Sequence, residues 1–322
     1  MSEHFIKNIS IKKFKCFDNF NAHDFQRVNL IGGKNNIGKT SFLEACYINA
    51  NAGNIENLIK SILDIKFARE NINLLFDNLK LSRESMEGFI EGSSGIFVET
   101  NIRKINYKKE NTNGINKHKF SINKKMVEVD IGKLSISTLS SHTDFIDKFG
   151  QSNAGIIESY SSIQKKDKEK SLDDILNKFD SSIQSFKVIK NKPYCKVNNK
   201  YLEISELGDG TRHLISIVTS LYKCEDGYLF IDEIDSGIHY TILESILEIV
   251  LNVSKALNVQ IFATTHSKEC IESYSKAAKK SNNHNISFTT LVKNKKNEIH
   301  AITRDYDLFM NSLEQNHEVR GW

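Results

Sequence analysis

The stretch "IGGKNNIGKTSF", residues 31–42, indicates a phosphate-binding loop. It matches the pattern GxxxxGK[ST], in which backbone N–H groups turn inward around phosphates and the following helix adds its N-terminal dipole. We expect Lys39 to neutralise the β- and γ-phosphates and the Thr40 hydroxyl to bind Mg²⁺. The residues predicted to contact nucleotide here are Gly33, Lys34, Asn35, Asn36, Ile37, Gly38, Lys39, Thr40 and Ser41.

The segments around this loop have the order that a phosphate loop requires. Strands are predicted over residues 5–13, 17–25 and 27–33, and a helix over residues 39–50. A glycine turn with a surface lysine would match the same pattern. The loop between a strand and a helix favours the phosphate-binding interpretation.

A second motif, "GYLFIDEIDSGIHY" at residues 227–240, places two acids after an apolar strand. A carboxylate at the end of a strand, Asp232, can hold Mg²⁺ through water, and Glu233 can polarise the attacking water. The alternative is an ordinary acidic strand end. The phosphate loop in the same chain favours the catalytic interpretation.

Two weaker signals accompany these motifs. In "IFATTHS", residues 261–267, a strand ends near His266, which could reach a γ-phosphate or simply act as a polar cap. In "ISELGDGTRHLISIV", residues 204–218, two glycines precede a helix predicted over residues 211–223. Its N-terminus is free to face an anion, and the alternative is a helix start capped through Asp209.

The fold class follows from the last third of the chain. Apolar strands over residues 227–231 and 259–266 flank a helix over residues 240–257, and residues 288–303 resemble a hairpin. This order predicts a parallel sheet covered on both faces. We therefore expect an α/β P-loop NTPase with a mostly parallel core sheet plus N-terminal antiparallel strands.

The domain prediction places an insertion within this core. Residues 1–50 and 185–322 are assigned to the ATPase-type core, and residues 51–184 to an inserted lobe. Within the lobe, helical periodicity runs through residues 51–90, and short alternating segments over residues 96–135 predict hairpins. The lobe is therefore expected to combine helices and β-hairpins.

Composition excludes several classes of protein. Of 322 residues, 39% are hydrophobic and 26% charged, as in ordinary globular chains, and no apolar run approaches a membrane span. The N-terminus lacks the apolar core of a signal peptide, and the five cysteines form no CxxC pair. We expect a cytoplasmic protein without a zinc site. The net charge of +4 does not by itself imply nucleic acid.

A basic, partly aromatic segment over residues 103–125 is the candidate for contact with DNA. The alternative is a solvated face in a lysine-rich chain. The residues concerned are Arg103, Lys104, Lys108, Lys109, Lys117, Lys119, Lys124 and Lys125, with Tyr107 and Phe120 between them.

Together, the phosphate loop, "LGDGT" at residues 207–211, "FIDEIDSG" at residues 230–237 and the strand-end His266 resemble a known group of ATPases. They resemble the ABC-type ATPases of the SMC and RecF branch, above all the OLD family and its shorter OLD-like AAA relatives. Many of those relatives are parts of phage-defence systems. The start "ISIKKFKCFDNF" is also similar to their first strand and its turn. The resemblance covers about residues 1–50 and 200–270.

This resemblance implies ATP and Mg²⁺ as cofactors and ATP hydrolysis as the activity. It implies catalytic roles for Lys39, Glu233 and His266, the last as the switch histidine, and Mg²⁺ binding by Thr40 and Asp232. It assigns Asp235 to the D-loop. The nucleotide contacts of the signature segment fall on Leu207, Gly208, Asp209, Gly210 and Thr211.

The sequence departs from the pattern of this group at two places. Gly208 stands where the signature usually has serine, and Thr211 where it usually has glutamine, so γ-phosphate contact would rest on backbone N–H groups and Thr211. No Q-loop glutamine is evident, and Gln151 and Gln164 are candidates by order only.

The resemblance also implies partners. In such ATPases the signature of one subunit closes on the phosphate loop of another, so we expect a homodimer or a higher homo-oligomer. Only 56 residues follow His266, and Asp305 and Asp307 are too few for the acidic nuclease site of OLD nucleases. We therefore expect no intrinsic nuclease.

Three functions stay open on the sequence alone. The first is an ATPase sensor or scaffold that acts with a separately encoded effector in phage defence. The second is a RecF-like ATPase of DNA repair or chromosome handling that binds DNA. The third is a nucleotide-binding module with negligible turnover, against which the presence of both Asp232 and Glu233 argues.

Overall fold

The computed structural model describes residues 4–69, 95–112, 115–129 and 142–315, and in these ranges the strands form three sheets. The core sheet has the order β15-β14-β3-β13-β12-β8, in which all neighbours are parallel except β14 and β15. Its strands are β3 (Val28–Gly33), β8 (Thr143–Ile146), β12 (Tyr228–Ile231), β13 (Gln260–Thr264), β14 (Ile286–Lys293) and β15 (Ile299–Arg304). The five parallel strands therefore end at one edge.

The other two sheets are antiparallel. A six-stranded sheet has the order β2-β1-β4-β5-β6-β7 and a three-stranded sheet the order β11-β10-β9. The first contains β1 (Ile9–Lys12), β2 (Phe20–Ala22), β4 (Gly95–Thr100), β5 (Lys104–Thr112), β6 (Ile115–Ile122) and β7 (Lys125–Val129). The second contains β9 (Ile183–Ile189), β10 (Lys192–Val197) and β11 (Lys200–Glu203).

Helices cover both faces of the core sheet. The described helices are α1 (Lys39–Asn51), α2 (Ile55–Arg69), α3 (Asn153–Gln164), α4 (Glu169–Phe179), α5 (Asp209–Lys223), α6 (Tyr240–Ala256), α7 (Lys268–Lys280) and α8 (Tyr306–Glu314). None of the helices in the described ranges is long and apolar enough to cross a membrane.

Two hydrophobic cores lie on opposite faces of the core sheet. Along β12, Leu229 and Ile231 belong to the core built with α5, α6 and α7, whereas Tyr228 and Phe230 belong to the core built with α1 and α2. Successive residues of a strand point to opposite faces, so an all-apolar strand is what a sheet covered on both sides requires. The first residues of α1 and α5 consequently reach the sheet edge from opposite faces.

The predicted boundaries of the inserted lobe do not follow the sheets. β1 pairs on one side with β2 and on the other with β4, so the hairpins of the lobe continue the N-terminal sheet. β8 pairs with β12 and belongs to the core sheet, although it lies within 51–184. Backbone pairing therefore joins strands within 51–184 to strands outside this range, and the division of the chain into a core and an inserted lobe stays a prediction.

Several predicted elements are confirmed with shifted ends. The helix predicted from residue 211 begins at Asp209, and the hairpin predicted over 288–303 consists of β14 and β15. The helical prediction over 51–90 is described only as far as Arg69, and residues 130–135 of the hairpin prediction also lie outside the described residues. No pattern in the sequence predicts β8, α3 or the β9–β11 sheet.

Candidate nucleotide site

The phosphate loop connects the end of β3 to the start of α1, and its two glycines have conformations that other residues rarely adopt. Gly33 has φ 148° and Gly38 has φ 106°. A Cβ on Gly33 would lie 2.9 Å from the carbonyl oxygen of Leu291, and one on Gly38 would lie 2.6 Å from Cys16 Sγ. Backbone conformation and close packing therefore both require glycine at these positions.

Lys39 lies across this loop. Its Nζ donates hydrogen bonds to the carbonyl oxygens of Gly33 at 2.9 Å and Lys34 at 3.1 Å. Burial lowers the pKa of Lys39, and the charges of Asp232, Glu233 and Asp235 oppose this shift. The amine is thus held inside the loop, where phosphate oxygens can replace the two carbonyl acceptors.

Thr40 and Asp232 are joined directly, as the predicted Mg²⁺ site requires. The Thr40 hydroxyl donates to Asp232 Oδ2 at 2.8 Å, and the Thr264 hydroxyl donates to Asp232 Oδ1 at 2.6 Å. Mg²⁺ is usually held through one or two carboxylates together with substrate phosphates and water. The buried carboxylate and the hydroxyl therefore fit this ion.

Glu233 is fixed beside Asp232 by the neighbouring strand. Its φ is 51°, a left-handed conformation that is uncommon for residues with a Cβ. Its N–H donates to Thr264 Oγ1 at 2.8 Å, and the Ile234 N–H donates to the Thr264 carbonyl at 3.0 Å. These two bonds hold the turn and leave the Glu233 side chain partly exposed at the sheet edge.

Asp235 and His266 lie at the same edge. His266 follows β13 and is exposed, and its charge acts on Asp235. Burial raises the pKa of Asp235, while a hydrogen bond from Thr265 lowers it. The Oδ1 atom of Asp235 is buried and has no hydrogen-bond partner among the described residues.

The signature segment forms the start of α5 on the other face of the sheet. Gly208 is the N-cap residue, and no side chain caps the helix, so the alternative of a cap through Asp209 is wrong. Gly208 and Asp209 are exposed, and a Cβ on Gly208 would meet no atom within 4 Å. A Cβ on Gly210, in contrast, would lie 2.9 Å from the carbonyl oxygen of Gly237.

The predicted Q-loop candidates have other roles in the structure. The Gln151 amide donates to Asp144 Oδ2 at 2.6 Å, and the Gln151 N–H donates to Ser216 Oγ at 3.2 Å. Gln164 is the exposed last residue of α3. The residue that the structure places beside Asp232 is Asp147, which directly follows β8. The sequence feature that could have identified Asp147 is the strand before it, which is only four residues long.

The basic segment over residues 103–125 is largely occupied by contacts within the chain. Arg103 donates to the carbonyl oxygens of Asn49 and Ala50 at 2.7 and 2.9 Å, which satisfies the end of α1. Tyr107 and Phe120 are buried, so these two rings offer no surface to DNA, whereas Arg103 is only half-buried. Three lysines form ion pairs across the strands: Lys104 with Glu99, Lys117 with Glu128, and Lys119 with Glu110.

The two C-terminal acids considered for a nuclease site lie at the start of α8. Asp305 is its N-cap residue and accepts a hydrogen bond from the Leu308 N–H at 3.0 Å. Asp307 lies in the first helical turn, where a negative charge favours the helix dipole. Helix capping therefore explains Asp305, and the helix dipole explains Asp307.

Comparisons with known proteins agree with this geometry. Residues 133–272 match the family model described as "AAA domain, putative AbiEii toxin, Type IV TA system". The chain is 24% identical to a protein of Helicobacter pylori named "ATP/GTP phosphatase", over 83% of this chain and 86% of the relative.

Solved structures of SMC heads share the fold. An SMC head bound to the C-winged helix domain of ScpA superimposes with a TM-score of 0.57 at 11% identity, covering 94% of this chain and 99% of that one. An SMC head with an extended coiled coil bound to the C-terminal domain of ScpA, derived from Pyrococcus furiosus, gives 0.53 at 10% identity, covering 97% and 99%. The fold is that of an SMC-head-like P-loop ATPase.

The predicted fold class is therefore confirmed, as is the general resemblance to ABC- and SMC-type ATPases. Membership in the OLD family and the individual roles of the site residues stay predictions.

Proposed function

We propose that this chain binds ATP with Mg²⁺ and hydrolyses it to ADP and phosphate. The observation that carries the proposal is the 2.8 Å hydrogen bond from Thr40 to Asp232, which joins the phosphate loop to the strand that ends in Glu233. The SMC-head-like fold and the relative named "ATP/GTP phosphatase" support it.

Each residue of the site has a separate task in this proposal. Backbone N–H groups of residues 33–41 and the Lys39 amine bind the phosphates. Thr40 and Asp232 hold Mg²⁺, which when bound neutralises charge on the phosphates. Glu233 orients the attacking water and accepts its proton, and the exposed His266 contacts the γ-phosphate.

Phosphate release by the Glu233→Gln variant tests the activity. Loss of a general base typically lowers the rate about 100- to 10,000-fold, whereas ATP binding should persist because Lys39 and the loop are unchanged. Glu314→Gln, at the exposed end of α8, is the matched control and should hydrolyse ATP at the wild-type rate. Equal turnover in wild type and Glu233→Gln would favour the nucleotide-binding module without catalysis.

We further propose that two copies of the chain share their nucleotides. α1 packs on one face of the core sheet and α5 on the opposite face, so the exposed start of α5 is directed away from the chain's own phosphate loop. Each site would combine the loop, Asp232 and Glu233 of one copy with residues 207–211 of its partner. A second copy is the partner that supplies the missing half.

Mixing two inactive variants tests this sharing. Lys39→Ala disables the loop, and Gly208→Glu puts a negative charge at the signature, where the open space around Gly208 lets the variant fold. A mixed dimer has one intact loop opposite one intact signature, so mixing should restore part of the hydrolysis. Sedimentation of Glu233→Gln with ATP at micromolar concentration should show twice the 36.8 kDa chain mass. A strict monomer, or no recovery on mixing, contradicts the shared site.

The proposed biological role is a sensor or scaffold that reports nucleotide state to a separately encoded effector in phage defence. The matched family model is described by a toxin of a Type IV TA system, and both SMC heads carry a bound ScpA domain. Expression with the neighbouring gene product should protect cells from phage, and Lys39→Ala should abolish protection. Unchanged protection by Lys39→Ala would contradict a role for ATP in defence.

A DNA-binding role like that of RecF is the second candidate, favoured by the SMC-head fold. The ion pairs of Lys104, Lys117 and Lys119 lower the positive charge that their strands offer to phosphates. Duplex DNA binding that falls steeply with salt and weakens in a Lys124→Glu/Lys125→Glu variant would support this candidate. A flat salt dependence would point to a protein partner.

A further inference from the structure

The end of β14 lies beside the phosphate loop, on the side away from Asp232. In the core sheet, β3 has β14 as one neighbour and β13 as the other, and β12 lies beyond β13. Leu291 of β14 is paired with Gly33, where the loop begins, and β14 continues to Lys293. Two further residues of strand extend about 7 Å past this pair, so the end of β14 runs alongside the loop.

The side chain of Lys293 is on the face of the sheet that carries α1. Leu291 and Ile299 belong to the hydrophobic core built with α1, whereas Phe288 belongs to the core on the opposite face. Because strand residues alternate between faces, Lys293, which follows Leu291 by two residues and pairs with Ile299, is directed to the α1 face. The residue is exposed and forms no ion pair within the parts of the chain that the structure describes.

The start of α1 lies close to the same β14–β15 hairpin. A Cβ on Gly38 would lie 3.7 Å from Ile299 Cδ1 as well as 2.6 Å from Cys16 Sγ. Burial raises the pKa of the Cys16 thiol, whereas a hydrogen bond with Ser41 and nearby lysine charges, that of Lys293 among them, lower it. The charge of Lys293 therefore acts at the point where the phosphate loop passes into α1.

The turn between β14 and β15 is held by its own hydrogen bonds. Asn294 Oδ1 accepts the N–H groups of Lys296 at 2.8 Å and Glu298 at 3.0 Å, and the Asn294 N–H donates to the Glu298 carbonyl at 3.0 Å. Lys293 directly precedes this turn and is paired with Ile299. The backbone of Lys293 is therefore fixed, and a ligand would have to order only its side chain.

A nucleotide in the proposed site would extend across this edge of the sheet. Mg²⁺ and the γ-phosphate would lie at the contact between Thr40 and Asp232, on the β12 side of the loop. The α-phosphate and the nucleoside would then extend towards the opposite side, where β14 ends. A lysine amine is a compact cation with three donors, which suits a single phosphate group.

We propose that Lys293 is a nucleotide-binding residue, which donates to the α-phosphate at the side of the loop opposite Asp232. The inference rests on the proposed binding of ATP. In this arrangement Lys39 binds the β- and γ-phosphates from within the loop, and Lys293 binds the α-phosphate from the neighbouring strand. Two cations from segments far apart in the sequence then share the charge of the triphosphate.

The Lys293→Met variant of the full chain tests the proposal, because methionine keeps an unbranched apolar side chain and removes the charge. The affinities for ATP and ADP are measured in EDTA by isothermal titration calorimetry. KM and kcat for ATP are measured in Mg²⁺ by phosphate release. Lys295→Met, at the exposed tip of the same turn, is the matched control, and Lys293→Arg is the variant that keeps the charge.

Lys293→Met should weaken the binding of ATP and ADP about 5- to 20-fold, as loss of a hydrogen bond to a charged group at an exposed site does. The factor should be the same for both nucleotides, because both carry the α-phosphate. KM should rise by a similar factor while kcat stays at the wild-type value. Lys295→Met should bind both nucleotides like wild type, and Lys293→Arg should recover most of the affinity.

Three results would overturn the role of Lys293 alone. They are wild-type affinities in Lys293→Met, a loss of affinity for ATP without a loss for ADP, and equal losses in Lys293→Met and Lys295→Met. The last result would mean that both lysines attract the nucleotide only through their general positive charge. A wild-type chain that binds neither nucleotide overturns the proposed function and this inference together.

Discussion

The edge of the core sheet around Asp232 and the start of α5 are the two halves of the proposed nucleotide site, and they differ in how many contacts within the chain hold them. At the sheet edge, Lys39 donates to two carbonyl oxygens of the phosphate loop at 2.9 and 3.1 Å, and Thr40 donates to Asp232 at 2.8 Å. At the start of α5, Gly208 and Asp209 are exposed, and no side chain caps the helix. The phosphate loop is therefore held by contacts within the chain, whereas the start of α5 is open to a partner molecule.

The difference has a physical origin. Buried polar groups find partners within the chain, and the hydrogen bonds of Thr40 and Thr264 to Asp232 satisfy this need. The helix start is exposed, and its N–H groups can be satisfied by water until an anion replaces it. This difference fits the proposed function, in which the loop binds the nucleotide and the helix start meets a second copy of the chain.

The largest effect is expected from damage to the prepared half. Lys39→Ala removes the cation that spans the loop, and hydrolysis should fall about 100-fold or more, as on loss of a preorganised charge-stabilising donor. ATP binding should weaken as well, measured by equilibrium dialysis. Lys178→Ala, exposed near the end of α4, is the control and should behave as wild type. A wild-type rate of hydrolysis by Lys39→Ala would contradict the role of Lys39 in the phosphate loop.

An intermediate effect is expected at the start of α5, where alanine variants of two glycines can be compared. A Cβ on Gly210 would press against the Gly237 carbonyl, so Gly210→Ala should lower the free energy of unfolding by about 1–3 kcal/mol. A Cβ on Gly208 meets open space, so Gly208→Ala should stay within about 0.5 kcal/mol of wild type. Urea unfolding measures both. Equal losses in the two variants would show that the start of α5 does not rest on Gly237.

The smallest effect concerns His213, in the second turn of α5. Burial lowers the pKa of His213 to about 4, and the backbone of Ile234 partly opposes this shift. Because the folded pKa lies below the unfolded one, this contribution to stability is complete above pH 6.5 and is lost as the pH falls towards 4. Between pH 8 and pH 5.5 the loss should be about 1 kcal/mol.

His213→Leu separates this contribution from the rest of the chain. Leucine cannot gain a proton, so the variant should lose less stability than wild type on acidification, by the same amount of about 1 kcal/mol. Urea unfolding at the two pH values is the measurement. An identical acid loss in both proteins would mean that His213 is not buried as a neutral ring beneath the signature.

The site could be predicted where its chemistry is encoded in a few consecutive residues. The spacing from Gly33 to Thr40 and the apolar run before Asp232 are local, and the contact between Thr40 and Asp232 follows once both segments end at one sheet edge. The start of α5 was predicted two residues late, because Asp209 and Gly210 are poor helix formers that tertiary contacts with Gly237 hold in place.

Other parts could not be predicted because they depend on what covers a strand. The alternation of β5 and β6 does not show which side is buried, so the candidate DNA surface includes Tyr107 and Phe120, which the structure buries. β8 is a strand of four residues with one acid inside it and another directly after it, which is too little periodicity to recognise. Only its pairing with β12 identifies it.

By itself, the sequence determined that a phosphate loop, a strand-end acid pair and a glycine-rich helix start occur in one chain, because each depends on neighbouring residues. The tertiary structure alone decided that the loop helix α1 and the signature helix α5 lie on opposite faces of the sheet. It also decided that Asp147 stands beside Asp232, because the register of two parallel strands is set by backbone hydrogen bonds between segments more than eighty residues apart in the chain.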